Sequence, residues 1–478
     1  MVNQILDRHP HKVHPWKECR MIEAKYMRLA WRLGFFVLAL VALLPSSRVA
    51  TSQTRSGVPT FSKDIAPIFQ EKCQACHRPD SIAPMSLRTY EESKPWARGI
   101  REKVITRNMP PWGIDKSVGI QHFANDRSLS DQEIDTIVRW VDGGALQGDP
   151  KDMPPVKQWP DDAKWNFADM YGGPPDLIVK SPRYTVPKVA MDAWYKPTVD
   201  TGLTEQRWVR AIEIHPVTAK GRKVTHHALA RLLQQEPGTA ANPLDNGGAA
   251  AGVATADGLF MEWAVGKQGE IMRPNSGKLM MPGAKIVFEV HYHSVGEEVT
   301  DQVELGIYFY PKGQEPKYRQ VLGLFTGIVG GNRNIDIPPN SLYVTQGTTM
   351  MRQAGRIENF QPHMHWRGKA MSVEAVLPDG TTKLLSKVDR FEFAWMTNYI
   401  YADDAAPLLP RGTALKVTAW YDNTKNNRNN PDPDQWVGFG DRTVDEMGHA
   451  WINITYMSDQ EYEAEAAKRK LSAANLSK

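Results

Sequence analysis

Hydrophobic and polar positions change rhythm several times along the chain. Residues 33–44, Leu-Gly-Phe-Phe-Val-Leu-Ala-Leu-Val-Ala-Leu-Leu, form one apolar run of twelve. After it, Phe61-Ser-Lys-Asp-Ile-Ala-Pro-Ile-Phe69 has helical spacing. Ser130-Asp-Gln-Glu133 is a capping box that opens a helix with Ile134, Ile137, Val138 and Val141 on one face. Gly143-Gly144 stops it. Pro150, Pro154, Pro155, Pro160, Pro174 and Pro175 deny regular structure to residues 149–183. From about residue 184 the rhythm turns to strands. Arg207-Trp-Val-Arg-Ala-Ile-Glu-Ile214, Lys285-Ile-Val-Phe-Glu-Val-His-Tyr-His293 and Lys369-Ala-Met-Ser-Val-Glu-Ala-Val376 read as extended runs separated by Gly and Pro turns. No long helix-period segment occurs between 184 and 455.

The pattern predicts a leader at 1–50, a small all-α domain at 51–148 and a Pro-rich linker at 149–183. Two all-β antiparallel sandwiches, jelly-roll-like, follow at 184–331 and 332–457, with a charged, Ala-rich tail at 458–478. Trp159, Trp165 and Tyr171 imply that the linker lies against a domain.

Composition agrees with a multidomain globular chain. Its 478 residues are 41% apolar, with 15 Trp, 34 Pro and 36 Gly, which suits turn-rich sandwiches. The formal charge of +4 has a local origin. Residues 1–50 carry eight Lys/Arg against three Asp/Glu, so the remainder is close to neutral and gives no nucleic-acid footprint. The run at 33–44, preceded by Arg28 and Arg32, is short for a membrane span and suits a signal peptide. Export to the periplasm or beyond is expected, with the membrane touched only through an uncleaved leader.

Of three cysteines, Cys19 lies in the leader. Cys73-Gln-Ala-Cys76-His77 is the attachment signature of c-type haem, with two thioether bonds and one axial imidazole. With its flanking helices, the stretch 58–148 resembles a class I cytochrome c domain. A sixth ligand is then required. Met109, in Asn108-Met-Pro-Pro-Trp112, is preferred to Met85, in Ala83-Pro-Met-Ser86, with His122 third.

Of the 13 histidines, seven fall between 226 and 449. His363 and His365 in Gln361-Pro-His-Met-His-Trp366 share one face of a strand, an arrangement suited to copper or zinc. Neighbours such as His226 and His227 point to opposite faces, so they share a metal only at a bulge or strand end. His293 shares a face with His291 and is expected to support it from behind. His215, before Pro216, reads as structural.

Thr225-His226-His227, Val290-His291-Tyr292, His363-Met-His365 and Asp445-Glu-Met447 occur in that order. The ordered set resembles the copper type II monooxygenases, the family of peptidylglycine α-hydroxylating and dopamine β-monooxygenases. The resemblance implies two coppers, one held by His226, His227 and His291 and one by His363, His365 and Met447. It implies hydroxylation of a C–H bond of a small-molecule substrate with O₂. The thioether of Met447 suits Cu(I).

The chain departs from that family in places. It has no cysteines to spare for disulfides after the leader. Gln361 stands where the peptide-hydroxylating member has an arginine that grips a substrate carboxylate. His449 and Trp451 replace an asparagine and a tyrosine, and His449 competes as a ligand. The expected protein is an exported haem c/dicopper oxidoreductase. Its haem relays electrons from an external donor and docks near the first copper. The alternative is a non-catalytic electron-transfer or copper-binding protein.

Overall fold

The computed structural model describes residues 57–79, 81–159, 164–190, 192–236, 258–264, 267 and 269–476. The expected leader lies outside them. Among the described residues no helix is long and apolar enough to cross a membrane. The chain is mostly β-sheet with few helices.

Among the described residues four of the seven α-helices fall between Ala66 and Asp142. The capping box forms: Ser130 Oγ accepts from Glu133 N–H at 3.2 Å, and Ser130 N–H donates to the Glu133 carboxylate at 2.7 Å. The helix Asp131–Asp142 then buries Ile137 and Trp140 against Phe61, Ile65 and Phe69. Ile100 and Val104 of the helix Ala97–Ile105 close the same core.

Two sheet-on-sheet layers follow, an arrangement compatible with β-sandwiches. An 11-stranded sheet runs through both. Its first half, including Arg207–Pro216 and Val303–Phe309, packs on a five-stranded sheet made of Thr225–Leu233, Lys285–Tyr292, Leu259–Ala264 and two short strands. Its second half, including Tyr318–Thr326, Asn359–Met364 and Gly448–Met457, packs on the four-stranded sheet of Leu342–Met350, Gly368–Val376, Thr382–Val388 and Ala414–Asp422. The halves are joined by a short parallel contact, Tyr318↔Ser276 and Arg319↔Gly277. Tyr318–Thr326, which precedes the expected boundary at 331/332, pairs along its length with Gly448–Met457.

Alternation decides which side chains face each core. Ala228, Ala230 and Leu232 enter the first core, as do Ile286, Phe288 and Val290. Their neighbours His227, Leu229 and His291 therefore face outwards from it. Phe360, Ala450 and Ile452 enter the second core, so Gln361, His363 and Trp451 face outwards there. The two outer faces meet in an apolar layer of Leu229, Leu259 and Ala264 with Leu322, Met396 and Trp451.

Segments outside the sheets are tied down. The helix Asp459–Leu476 lies on the second half, where Arg469 donates to Ala406 O at 2.6 Å. In the Pro-rich arm, Trp159 donates to Gln74 Oε1 at 3.4 Å, and Trp165 packs on His215 at 4.3 Å between ring centres.

The segment after Arg107 leaves the helical core. Trp112, Ile114 and Phe123 are buried in the core of the second half. Ile114 bridges Val388 and Phe123 bridges Tyr401. Gly113 N–H donates to Tyr399 Oη at 3.0 Å, and a Cβ at Gly113 would stand 2.5 Å from Arg390 O. Docking was expected near His226, His227 and His291. The contacts of Trp112, Ile114 and Phe123 are with the half that carries His363 and His365. Large-to-small changes of a buried aromatic typically remove about 3–5 kcal/mol. Trp112→Ala, at a site 5% exposed and edge-on to Tyr399, is expected to lower the stability of the second β half on that scale. Denaturant unfolding followed by tryptophan fluorescence checks it, and an unchanged midpoint would contradict the docking.

Candidate metal centres

The first centre depends on an irregularity of pairing. Register runs Val290↔Ala228, His291↔His227, then jumps to Tyr292↔Thr225. His226 is the extra residue of a β-bulge, which turns its ring to the same side as its neighbour. Nδ1 of His226 and Nδ1 of His227 stand 3.1 Å apart. One ligand atom from each of His226, His227 and His291 falls within 4.8 Å of the others. Among the described residues no other trio of His, Cys, Asp or Glu meets this closely.

His291 is oriented from behind. Its Nε2–H donates to Asp192 Oδ1 at 2.6 Å, and Trp194 stacks on the ring at 4.5 Å. Its Nδ1 is buried without a hydrogen-bond partner. A carboxylate on one ring nitrogen and a bare, buried lone pair on the other is the arrangement of a metal-ligating histidine. The residues therefore fit a metal ion. The rings of His293 and His226 lie 6.5 Å apart, and the His293 ring is hydrogen-bonded to the backbone at Lys223.

The second set lies across the apolar layer. His363 and His365 present rings 5.3 Å apart at 85°. His365 Nδ1–H donates to Asp445 O at 3.0 Å, and His363 Nδ1–H meets Met396 Sδ at 3.2 Å. Both Nε2 atoms are thereby left as acceptors. The ladder pairs Met364 with Gly448, so His365 and the half-buried Met447 are the next positions along it. Glu446 ties this corner together: its Oε2 accepts from His365 N–H at 2.9 Å and its Oε1 from Arg367 N–H at 2.6 Å. The rings of His227 and His363 are 6.1 Å apart, and Phe393 lies between His226, at 4.8 Å, and His365, at 5.6 Å.

His449 is a different kind of group. Asn332 Oδ1 accepts from Gly448 N–H at 3.2 Å, so the Asn332 amide nitrogen faces His449 Nδ1 at 2.9 Å and donates to it. The neutral ring then carries its proton on Nε2, which is buried without a partner. It offers an N–H, and no lone pair, to the space beside His363, 4.7 Å away.

Gln361 is occupied. Its Nε2 donates to Glu262 Oε2 at 2.6 Å. Burial pushes the Glu262 carboxyl up to about 7 despite nearby Lys267. Burial likewise lowers the imidazoles, His226 and His449 to about 3 and His365 to about 4, with His227 and His363 also far down.

At the Cys-x-x-Cys-His motif the two thiols are not joined to each other. His77 Nδ1–H donates to Met85 O at 3.2 Å, leaving Nε2 as the free ring nitrogen. These groups fit covalent haem with His77 as one axial ligand. Met85 sits behind the imidazole, and its side chain joins the helical core. Met109 is half-buried and lines a cavity of about 240 Å³ with Trp112, Pro362, Phe391, Trp395 and Tyr399.

Asp192, Glu262, Asn332, Phe393 and Met396 escaped the sequence reading, which had no motif to flag them. Glu446 stood inside a recognised run without a role. No protein-family model matches the chain, and no curated protein matches it. The functional reading therefore rests on the arrangement of the residues.

Among the described residues nine histidines, His77, His215, His226, His227, His291, His293, His363, His365 and His449, are shifted below the usual 6.5. Four carboxyls, Glu213, Glu262, Asp301 and Glu446, are shifted up. As pH falls below 6.5, the unfolded chain takes up protons that the folded histidines refuse. Their contribution is full above 6.5 and is lost towards about 3–4. The raised carboxyls act in the opposite sense between 4.5 and about 7, but they are fewer. The melting temperature of metal-free protein is expected to fall from pH 7 to pH 5. A flat or rising profile would contradict the buried neutral histidines.

Proposed function

We propose that this protein is an exported copper monooxygenase, supplied with electrons by a haem c in the same chain. The observation that carries the reading is the meeting of two imidazole sets from different β layers, with His227 and His363 6.1 Å apart. His226, His227 and His291 would hold one copper, and His363, His365 and Met447 the other. Copper at these positions supplies one-electron redox chemistry and O₂ activation. In the overall reaction one oxygen atom enters a C–H bond and the other leaves as water, with two electrons and two protons consumed.

The surrounding residues define the rest of the site. Leu229, Met396 and Trp451 keep the space between the layers apolar and exclude water. His449 Nε2–H is a donor beside His363. The segment 391–399 lines the Met109 cavity through Trp395 and Tyr399 and reaches His363 through Met396. It supports an electron path from the N-terminal region to the second centre. Cys73, Cys76 and His77 would hold the haem, which supplies one-electron transfer, with Met109 as the preferred sixth ligand.

Two copper and one haem per chain are expected on metal analysis, and His291→Ala should lose one copper and keep the haem. Zinc at full occupancy, with no copper taken up on reconstitution, would refute the reading. Reduced, copper-loaded protein should consume O₂, and His363→Ala should abolish this. Copper binding without any O₂ consumption would favour a non-catalytic electron carrier.

Glycine-extended peptides are expected to be poor substrates. Their carboxylate would meet Gln361 and the buried Glu262, whose neighbour Lys267 is already paired with Glu262 and Glu270, and burying an unpaired charge is costly. Turnover of such a peptide at a rate matching that of the best substrate found would overturn this.

A further inference from the structure

One carboxylate links the first histidine set to the loop that holds the second. Asp192 precedes the short strand Ala193–Tyr195 of the first layer, and its side chain is 9% exposed. Its Oδ1 accepts from His291 Nε2–H at 2.6 Å and from the Thr443 hydroxyl at 2.8 Å. Its Oδ2 takes Thr443 N–H at 3.3 Å. Thr443 lies in the loop 441–447, which ends in Asp445, Glu446 and Met447. Two residues on, Asp445 O accepts from His365 Nδ1, and Glu446 accepts from His365 N–H. An unbroken series of hydrogen bonds and one short loop thus leads from His291 to His365. Lys196, beside Asp441 at 3.2 Å and Glu289 at 3.7 Å, ties the same loop to the first layer.

We propose that Asp192 is a positioning residue that couples the two centres, so that copper at His226, His227 and His291 tightens the loop 441–447 and strengthens binding at His363, His365 and Met447. The inference rests on the dicopper reading above. A cation at His291 Nδ1 commits the proton to Nε2 and polarises it, which makes its bond to Asp192 charge-assisted and firmer. The carboxylate then gives Thr443 a fixed acceptor. Thr443 fixes the loop, and the loop fixes His365 and Met447. Coupling of this kind is reciprocal, so filling the second centre strengthens the first by the same factor.

Hydrogen exchange on the full chain tests this directly. In His363→Ala the second centre is lost without disturbing the loop's contacts. Adding one equivalent of Cu(I) should slow exchange of residues 441–447 several-fold. In His363→Ala/Thr443→Val the first copper should still bind, but the slowing should vanish. In the two-centre chain, Thr443→Val should weaken the second copper on the order of tenfold, the usual scale for an outer partner of a ligand, and Thr443→Ser should restore it. Exchange at 441–447 that ignores copper would overturn the coupling, as would slowing that survives Thr443→Val. Should Thr443→Val not fold, the exchange result in His363→Ala decides alone. Failure of His363→Ala to bind any copper would instead overturn the dicopper reading beneath the proposal.

Discussion

An imidazole withdrawn from water must satisfy two ring nitrogens, and only one of them carries a proton when the ring is neutral. Six such rings, His226, His227, His291, His363, His365 and His449, are packed where two β layers meet. Burial keeps them neutral, because a cluster of imidazolium ions there would be unscreened. In three of the six an outward nitrogen donates to a group of the protein: Asp192 for His291, Met396 for His363, Asp445 O for His365. What remains is a set of inward nitrogens facing one another. That residue of unmet bonding is the physical basis of the proposal that metal ions bind here.

The scaffold that creates this situation is ordinary strand geometry. Each layer buries one side of its sheet in its own core and turns the other towards its neighbour. Leu229, Leu259 and Ala264 on one side, with Leu322 and Trp451 on the other, seal the join. The bulge at His226 gives the first centre a residue that regular pairing would have turned away. In the second centre Glu446 does comparable work by gathering the backbones of His365 and Arg367 around one buried carboxylate. Its burial pushes it up to about 7, so these backbone donors are what hold it there.

The N-terminal region is not a loosely tethered accessory. Val58–Lys478 divides off as one compact unit. The loop 112–125 contributes Trp112, Ile114 and Phe123 to a β core, while Trp159 and Trp165 tie the Pro-rich arm to Gln74 and to His215. Segment 391–399 consequently faces the Met109 cavity on one side and His363 on the other. Pro362, the residue before His363, also lines that cavity, and Phe393 of the same segment stacks on His226.

The change from helical to strand rhythm, the capping box at Ser130, the Cys73-Gln-Ala-Cys76-His77 run and the ordered histidines were all legible from local pattern. Such features rest on interactions within a few residues, which is why they survive without a fold. The need for a bulge or a strand end at His226 followed from alternation alone, and only the structure shows that it is a bulge. Asp192, Glu262, Asn332, Phe393 and Met396 carry no local signature. Asp192, Glu262 and Asn332 act through partners 99 to 251 positions away in the chain, Met396 reaches His363 from 33 positions away, and Phe393 stacks on the distant His226. The docking of 112–125 onto the second β half is of the same kind, because the fit of Trp112 against Tyr399 exists only once both are placed. Short-range periodicity selects elements and marks ligands. Which carboxylate orients a ligand, and which surfaces close around it, depends on long-range packing that no window of the chain contains.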